Sequence, residues 1–166
     1  LPSYTENRLE EHINNLGDKN AKNVLIEYAS LSCVHCANFH NNELPEIKTN
    51  LIDNGKLKYI YKDFPLDKPA MFASMIAHCF SGDQYHEVLS SLYRNQKKWV
   101  SVSDNSGKFY SALHSILKIH DITLEKIIGC VDADQAINKK KWDSILSTRL
   151  EGQKIGVNST PTFFLN

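Results

Sequence analysis

A pair of cysteines separated by two residues, Cys33-Val34-His35-Cys36, constrains this chain more than any other feature of its sequence. Residues 24–29, just before the pair, form an apolar run that predicts a short buried strand. The segment after the pair carries apolar residues at helical spacing. A C-x-x-C pair between a strand and a helix is typical of a thioredoxin-like redox site.

The two cysteines are expected to play different roles. Cys33 should lie at the helix N-terminus, where unpaired N–H groups and the helix dipole favour a negative charge. Cys36 follows about one turn further along, close enough to form a disulfide with Cys33 yet shielded from solvent. We therefore expect Cys33 to be the nucleophilic thiolate and Cys36 the resolving thiol. His35 is expected to stabilise this thiolate; the alternative is a solvent-facing ring that takes no part.

Composition limits the other possibilities. The chain has 166 residues, of which 42% are hydrophobic, and its 19 basic residues balance 19 acidic ones. This balance gives no electrostatic indication of nucleic-acid binding. No apolar run approaches the roughly 20 residues that a membrane span needs. The first residues do not resemble a signal peptide, so we expect a processed or shortened chain. Four cysteines are compatible with two disulfides and an oxidising compartment.

The first third of the chain predicts a strand–helix–strand unit. Residues 6–16 carry an amphipathic stripe that predicts a preceding helix. A long helix is expected over 34–53, with a kink near Pro45. Residues 57–63 are rich in strand formers. Because a helix of this length joins the two strands, they should be parallel with a right-handed crossover.

The remainder is mostly helical. Apolar residues recur at helical spacing almost throughout 70–152, apart from a polar loop over 101–107. The lysines at 139–141 are most simply a solvated helix face. After Gly156, a turn leads into an apolar strand.

Glu27 stands in the middle of the first predicted strand. A buried carboxylate is costly there. As a proton acceptor for Cys36, however, a buried acid with a raised pKa would be useful. The alternative is a partly exposed glutamate near the strand end.

Thr160 and Pro161 precede the last apolar segment. A Thr-Pro pair in this position is ordinarily a turn into an edge strand. The upstream C-x-x-C motif raises a second interpretation, in which the bond before Pro161 is cis and the proline lies beside Cys33.

Taken together, these segments resemble the DsbA-like thiol–disulfide oxidoreductases of the thioredoxin superfamily, specifically their α-proteobacterial branch. The resemblance runs from about residue 16 to the last residue, in the expected order. The matching segments are 16–21, 26–36, 52–56, 62–66 and 156–163.

The resemblance implies an α/β protein: a thioredoxin fold interrupted by a helical insertion. Residues 18–65 and 153–166 would form the redox domain and residues 66–152 the insertion, with 1–17 as an N-terminal helical segment. A thioredoxin-like sheet normally adds another strand and a closing helix after the proline strand. We therefore expect that C-terminal strand and helix to be missing from this chain.

The resemblance also assigns roles to single residues. Cys33 matches the nucleophile and Cys36 the resolving cysteine. The backbone of Thr160 and Pro161 would pair with an extended substrate, and Glu27 matches a buried acid beneath the site. The best-known family member has proline in place of Val34. Because the dipeptide between the cysteines tunes the redox potential, the oxidising strength stays open.

Cys79 and Cys130 lie in the expected insertion. Cys79 falls on an apolar stripe, which suits either a buried thiol or half of a disulfide. An unpaired accessible thiol is a liability in an oxidising compartment, so we favour pairing, and members of the resembled branch carry such a pair. The closed loop would contribute about 4 kcal/mol of stability on the chain-entropy model.

The resemblance implies an oxidase that donates the Cys33–Cys36 disulfide to reduced exported proteins in the periplasm, working as a monomer without cofactor or metal. A DsbB-like, quinone-linked membrane protein would reoxidise it, and membrane tethering stays open. Alternatives are an isomerase or reductase of the same fold, or a non-catalytic peptide-binding or chaperone module. A zinc or copper site at Cys33, Cys36 and His40 is disfavoured because no second cysteine pair at this spacing exists.

Overall fold

A four-stranded mixed sheet forms the centre of the computed structural model, which describes residues 15–166. The strand order is β1-β3-β2-β4; β2 and β3 are parallel, and the two outer strands are antiparallel to their neighbours. The strands are β1 (Asn15–Leu16), β2 (Asn23–Ala29), β3 (Leu57–Asp63) and β4 (Thr162–Leu165). The predicted strands 24–29 and 57–63, and their parallel pairing, are thus confirmed.

The prediction of a helix over 6–16 is wrong at its last two residues. Asn15 and Leu16 form β1, which pairs with Ile60 and Tyr59 of β3. Helical periodicity in a short segment cannot reveal a strand partner more than forty residues away. The rest of the predicted helix, and of the N-terminal segment 1–14, lies outside the described residues.

The helical path after the cysteine motif is less regular than predicted. It consists of α1 (Val34–Asn38), a π-helical turn (Phe39–Glu43), α2 (Leu44–Ile47) and a second π-helical turn (Lys48–Ile52). Pro45 lies in the first turn of α2, immediately after the first π-helical turn. Proline lacks an N–H and clashes with the preceding turn of a regular helix, and such π-turns accommodate interruptions of this kind.

Six α-helices and one short 3-10 helix (Lys118–His120) lie between β3 and β4. The α-helices are α3 (Lys68–Ala77), α4 (Gly82–Arg94), α5 (Gln96–Val100), α6 (Ser106–Leu117), α7 (Leu124–Gly129) and α8 (Ala136–Lys154). The expected helical insertion is therefore confirmed. One detail differs: α3 ends at Ala77, so Cys79 lies in the turn after the helix rather than on its apolar stripe. The main apolar core continues from the sheet into α4 and α6 without interruption.

Candidate redox site

Cys33 is the N-cap residue of α1, with an extended backbone (φ −79°, ψ 122°). Its Sγ accepts a hydrogen bond from the backbone N–H of Cys36 at 3.4 Å. The half-buried thiol also donates to the backbone carbonyl of Thr160 at 3.5 Å. Unpaired N–H groups at a helix start attract negative charge, and the Sγ of Cys33 lies at this position in α1.

Cys36 is fully buried. Burial raises the pKa of its thiol well above the usual value, an effect that the backbone of Ser30 opposes only in part. Both cysteines are free thiols in the structure. At neutral pH Cys36 is therefore protonated and shielded, whereas Cys33 is the sulfur that an approaching chain can reach.

The peptide bond between Thr160 and Pro161 is cis. The following strand, β4, pairs with β2 in the register Tyr28↔Thr162, and this pairing brings the Thr160 carbonyl to Cys33. The Thr160 hydroxyl is buried and has no hydrogen-bond partner within ordinary limits. The main influence on the pKa of the Cys36 thiol is burial, which raises it. The Thr160 hydroxyl lies close enough to that thiol to oppose this rise in part.

His35 is exposed on α1. Among the hydrogen bonds and ion pairs of residues 15–166, none joins its ring to Cys33. This arrangement matches the alternative of a solvent-facing ring, and a thiolate-stabilising role for His35 stays a prediction.

Glu27 is completely buried in β2, so the alternative of a partly exposed glutamate is wrong. Its Oε1 accepts a hydrogen bond from the hydroxyl of Tyr59 at 2.6 Å. The same oxygen lies 2.7 Å from Nε2 of His40, which is also buried. His40 is thus paired with Glu27, although its spacing from the cysteines had raised only the question of a metal. The sequence held one sign that His40 is buried near the site: it follows the buried Cys36 by four residues on the same helical path.

Gln96 is a site residue that the sequence did not reveal. Its buried amide donates from Nε2 to the carbonyl of Leu31 at 2.7 Å and to that of Cys33 at 2.9 Å. The first turn of α5 therefore holds the loop that carries Cys33. A single glutamine in a helical segment gives no pattern from which this contact could be predicted.

Cys79 and Cys130 form a disulfide that links the turn after α3 to the end of α7. The Nζ of Lys141 donates to the Cys130 carbonyl at 2.9 Å and to the Met75 carbonyl at 3.2 Å. Burial, and next the charge of Lys126, lower the pKa of Lys141 to about 8. The expectation that residues 139–141 are simply a solvated helix face is therefore wrong for Lys141. Its ammonium group lies where α8 packs against α3 and the end of α7.

The described part of the chain holds no group of three or more histidine, cysteine, aspartate or glutamate side chains placed to bind a metal ion. None of its helices is long and apolar enough to cross a membrane.

Comparison with known proteins agrees with this geometry. The sequence profile of the family described as Thioredoxin matches residues 9–166. The chain belongs to this thioredoxin family. Within it the chain is DsbA-like, because it is 30% identical to alpha-DsbA1 of Wolbachia pipientis, with a TM-score of 0.79 over 100% of this chain and 76% of that one. The family and the fold expected from the sequence are thus confirmed.

Two further comparisons concern a sequence relative and a structure of the same fold. It is 30% identical, over 96% of its length, to a Rickettsia bellii protein provisionally named protein-disulfide oxidoreductase. The match spans 59% of the length of that relative. A protein-disulfide isomerase from Novosphingobium aromaticivorans has the same fold, with a TM-score of 0.76, 94% of this chain covered and 87% of that one, at 19% identity.

Proposed function

We propose that this chain is a thiol–disulfide oxidoreductase that works through Cys33 and Cys36. One observation carries the proposal: the Sγ of Cys33 lies at a helix N-terminus, next to the carbonyl of Thr160, with a buried cysteine one turn away. In this proposal the redox unit comprises residues 18–65 and 153–166, and residues 66–152 form the insertion.

The exchange starts from the disulfide form. A substrate thiolate attacks the Sγ of Cys33, and the Cys33–Cys36 bond breaks. Cys36 leaves with the bonding electron pair and takes up a proton. A second substrate thiolate then attacks the substrate sulfur of the mixed disulfide and releases Cys33 as a thiolate. The substrate loses two electrons and gains a disulfide, and the protein gains a dithiol.

The position of Thr160 supports binding of an extended substrate. Its carbonyl lies 3.5 Å from the Cys33 sulfur and belongs to the segment that enters β4. A substrate strand that pairs with this backbone places its own cysteine beside Cys33, as in other complexes formed by strand addition. Val34 is two-thirds exposed beside the sulfur and offers an apolar contact to the same strand.

We propose the oxidising direction, with reduced exported proteins as substrates in the periplasm. A helix N-terminus stabilises a thiolate and therefore the reduced form of the protein. The disulfide is then easier to reduce, which makes it a stronger oxidant. The similarity to alpha-DsbA1 also supports this direction. In this scheme a DsbB-like membrane protein regenerates the disulfide and the chain works as a monomer. The name of the Novosphingobium protein makes isomerase activity the second candidate.

The test uses a reduced peptide with two cysteines and the oxidised protein in stoichiometric amount. The expected result is oxidised peptide and reduced protein, and no reaction with Cys33→Ser. When treated with oxidised glutathione, Cys36→Ser should instead accumulate a glutathione mixed disulfide on Cys33, because no Cys36 thiol is present to displace the glutathione. A Cys33→Ser protein that binds the peptide and oxidises it at the wild-type rate would refute the proposal. A scrambled two-disulfide peptide distinguishes the isomerase candidate, because only an isomerase converts it to one isomer.

A further inference from the structure

The loop between β2 and α1 carries Cys33, and several of its polar groups are bonded to the elements on either side. The N–H of Cys33 donates to the carbonyl of Ser30 at 3.0 Å. The Ser30 hydroxyl accepts a hydrogen bond from the N–H of Leu66, just after β3, at 3.2 Å. The Cys33 carbonyl accepts one from the N–H of Ala37 in α1 at 3.0 Å. These bonds hold the two ends of the loop, whereas the carbonyl of Leu31 lies between them.

The side chain that holds the Leu31 carbonyl comes from the helical insertion. Gln96 is the first residue of α5, and its Nε2 donates to the Leu31 carbonyl at 2.7 Å and to the Cys33 carbonyl at 2.9 Å. A glutamine amide nitrogen carries two hydrogens, so one group can serve both carbonyls. Gln96 and Leu31 are both buried. Because these groups are shielded from water, the contact holds the loop more firmly than a bond at the surface would.

The position of this loop matters for one chemical step in particular. In a mixed disulfide Cys33 is bonded to a foreign sulfur, and Cys36 must reach the Cys33 sulfur to displace it. Cys36 is fully buried in α1 and cannot follow a displaced Cys33. The backbone N–H of Cys36 lies 3.4 Å from the Sγ of Cys33, which shows how closely the two residues are held. Attack within one molecule depends steeply on such geometry, and a misplacement of about 1 Å can slow a reaction by about a hundredfold.

We propose that Gln96 is a positioning residue for this step: through its amide, the helical insertion holds the Cys33 loop where Cys36 can attack the mixed disulfide. This inference rests on the proposed function. The Cys36 thiol loses its proton to water, and its sulfur attacks the Sγ of Cys33. The bond from Cys33 to the foreign sulfur breaks, and that sulfur leaves with the bonding electron pair and takes up a proton from water. One disulfide replaces another, so the step involves no net oxidation.

The experiment follows the reaction of the reduced protein with oxidised glutathione at pH 7, by rapid acid quench and mass spectrometry. It gives two rate constants, one for formation of the mixed disulfide on Cys33 and one for its displacement by Cys36. Gln96→Met keeps the side-chain volume but has no N–H donor. We expect displacement to slow by about tenfold in this variant. Formation, which needs only the half-buried Cys33 thiol, should keep its wild-type rate.

Two control variants separate positioning from a general loss of stability. Gln84→Met makes the same substitution at an exposed glutamine. Ile127→Ala removes apolar volume from a fully buried position in α7 and should destabilise the protein without touching a loop carbonyl. We expect wild-type rates for both steps in both controls. If Gln96→Met does not fold, Gln96→Asn decides: its amide is on a shorter side chain, so displacement should again slow while formation does not change.

The outcomes separate the two proposals. Wild-type displacement in a folded Gln96 variant would overturn the positioning role and leave the proposed function intact. An equal slowing of both steps, or the same slowing of displacement in Ile127→Ala, would overturn it as well. A wild-type protein that forms no mixed disulfide with glutathione, or whose Cys36 does not displace it, would refute the proposed function and the role of Gln96 with it.

Discussion

The contact between Gln96 and the loop over residues 31–33 leads to a quantitative prediction. Gln96→Met keeps the side-chain volume but removes both hydrogen bonds, to the carbonyls of Leu31 and Cys33. The Cys33 carbonyl still accepts a hydrogen bond from the N–H of Ala37 at 3.0 Å, so losing the bond from Gln96 costs little free energy there. The carbonyl of the fully buried Leu31, in contrast, loses its 2.7 Å hydrogen bond from Gln96. An unsatisfied buried carbonyl costs about 1–3 kcal/mol and a replaceable bond about 1 kcal/mol.

We therefore expect Gln96→Met to lower the free energy of unfolding by about 2–3 kcal/mol. For a chain of this size the melting temperature should fall by roughly 4–12 °C. Urea unfolding followed by circular dichroism measures the first quantity directly. The control is Gln84→Met, since Gln84 is exposed and makes only a 3.5 Å contact with the His120 carbonyl. Its effect should stay within about 0.5 kcal/mol.

Equal stabilities of the Gln96→Met and Gln84→Met proteins would refute the reasoning. That result would mean that the loop keeps its conformation without the hydrogen bonds from Gln96. The amide of Gln96 would then be a consequence of the fold rather than one of its supports.

Three further predictions concern packing, the disulfide and the substrate segment. A methyl group at Gly152 would lie 2.8 Å from a buried aromatic ring, whereas one at Gly107 would have its nearest neighbour at 3.6 Å. In urea unfolding, Gly152→Ala should therefore be less stable than Gly107→Ala by about 1–3 kcal/mol. Equal stability of the two variants would contradict this. Replacing Cys79 and Cys130 by alanine should cost about 4 kcal/mol in the same assay; an unchanged midpoint would argue against it. Thr160→Val removes a buried hydroxyl without a hydrogen-bond partner, so the free energy of unfolding should change by less than about 1 kcal/mol. The lifetime of a mixed disulfide between Cys33 and glutathione should lengthen in this variant. An unchanged lifetime would exclude a role for the hydroxyl.

Local spacing explains what could be predicted from the sequence. The placement of Cys33 at the start of a helix and of Cys36 in the buried interior follows from their separation and from the strand and helix on either side, all within about fifteen residues. The bounds of β3 follow equally from a run of strand formers. These features depend on neighbours in the chain, which the sequence displays directly.

Long-range contacts explain what could not be predicted. Asn15 becomes a strand residue only because Ile60 of β3 lies beside it. The partner of Glu27 is on a helix and that of Gln96 is a loop carbonyl 65 residues away. Such contacts exist only after the sheet and the helical insertion have packed, and a single polar residue in a helical pattern gives no sign of them.

The predicted difference in reactivity between the two cysteines can be measured most directly by brief alkylation. The reduced protein is treated with iodoacetamide at pH 6 and the labelled peptides are mapped by mass spectrometry. Because Cys33 lies at a helix N-terminus and burial raises the pKa of Cys36, we predict label on Cys33 and almost none on Cys36. Preferential labelling of Cys36 would contradict the assignment of nucleophile and resolving thiol, and with it the proposed mechanism.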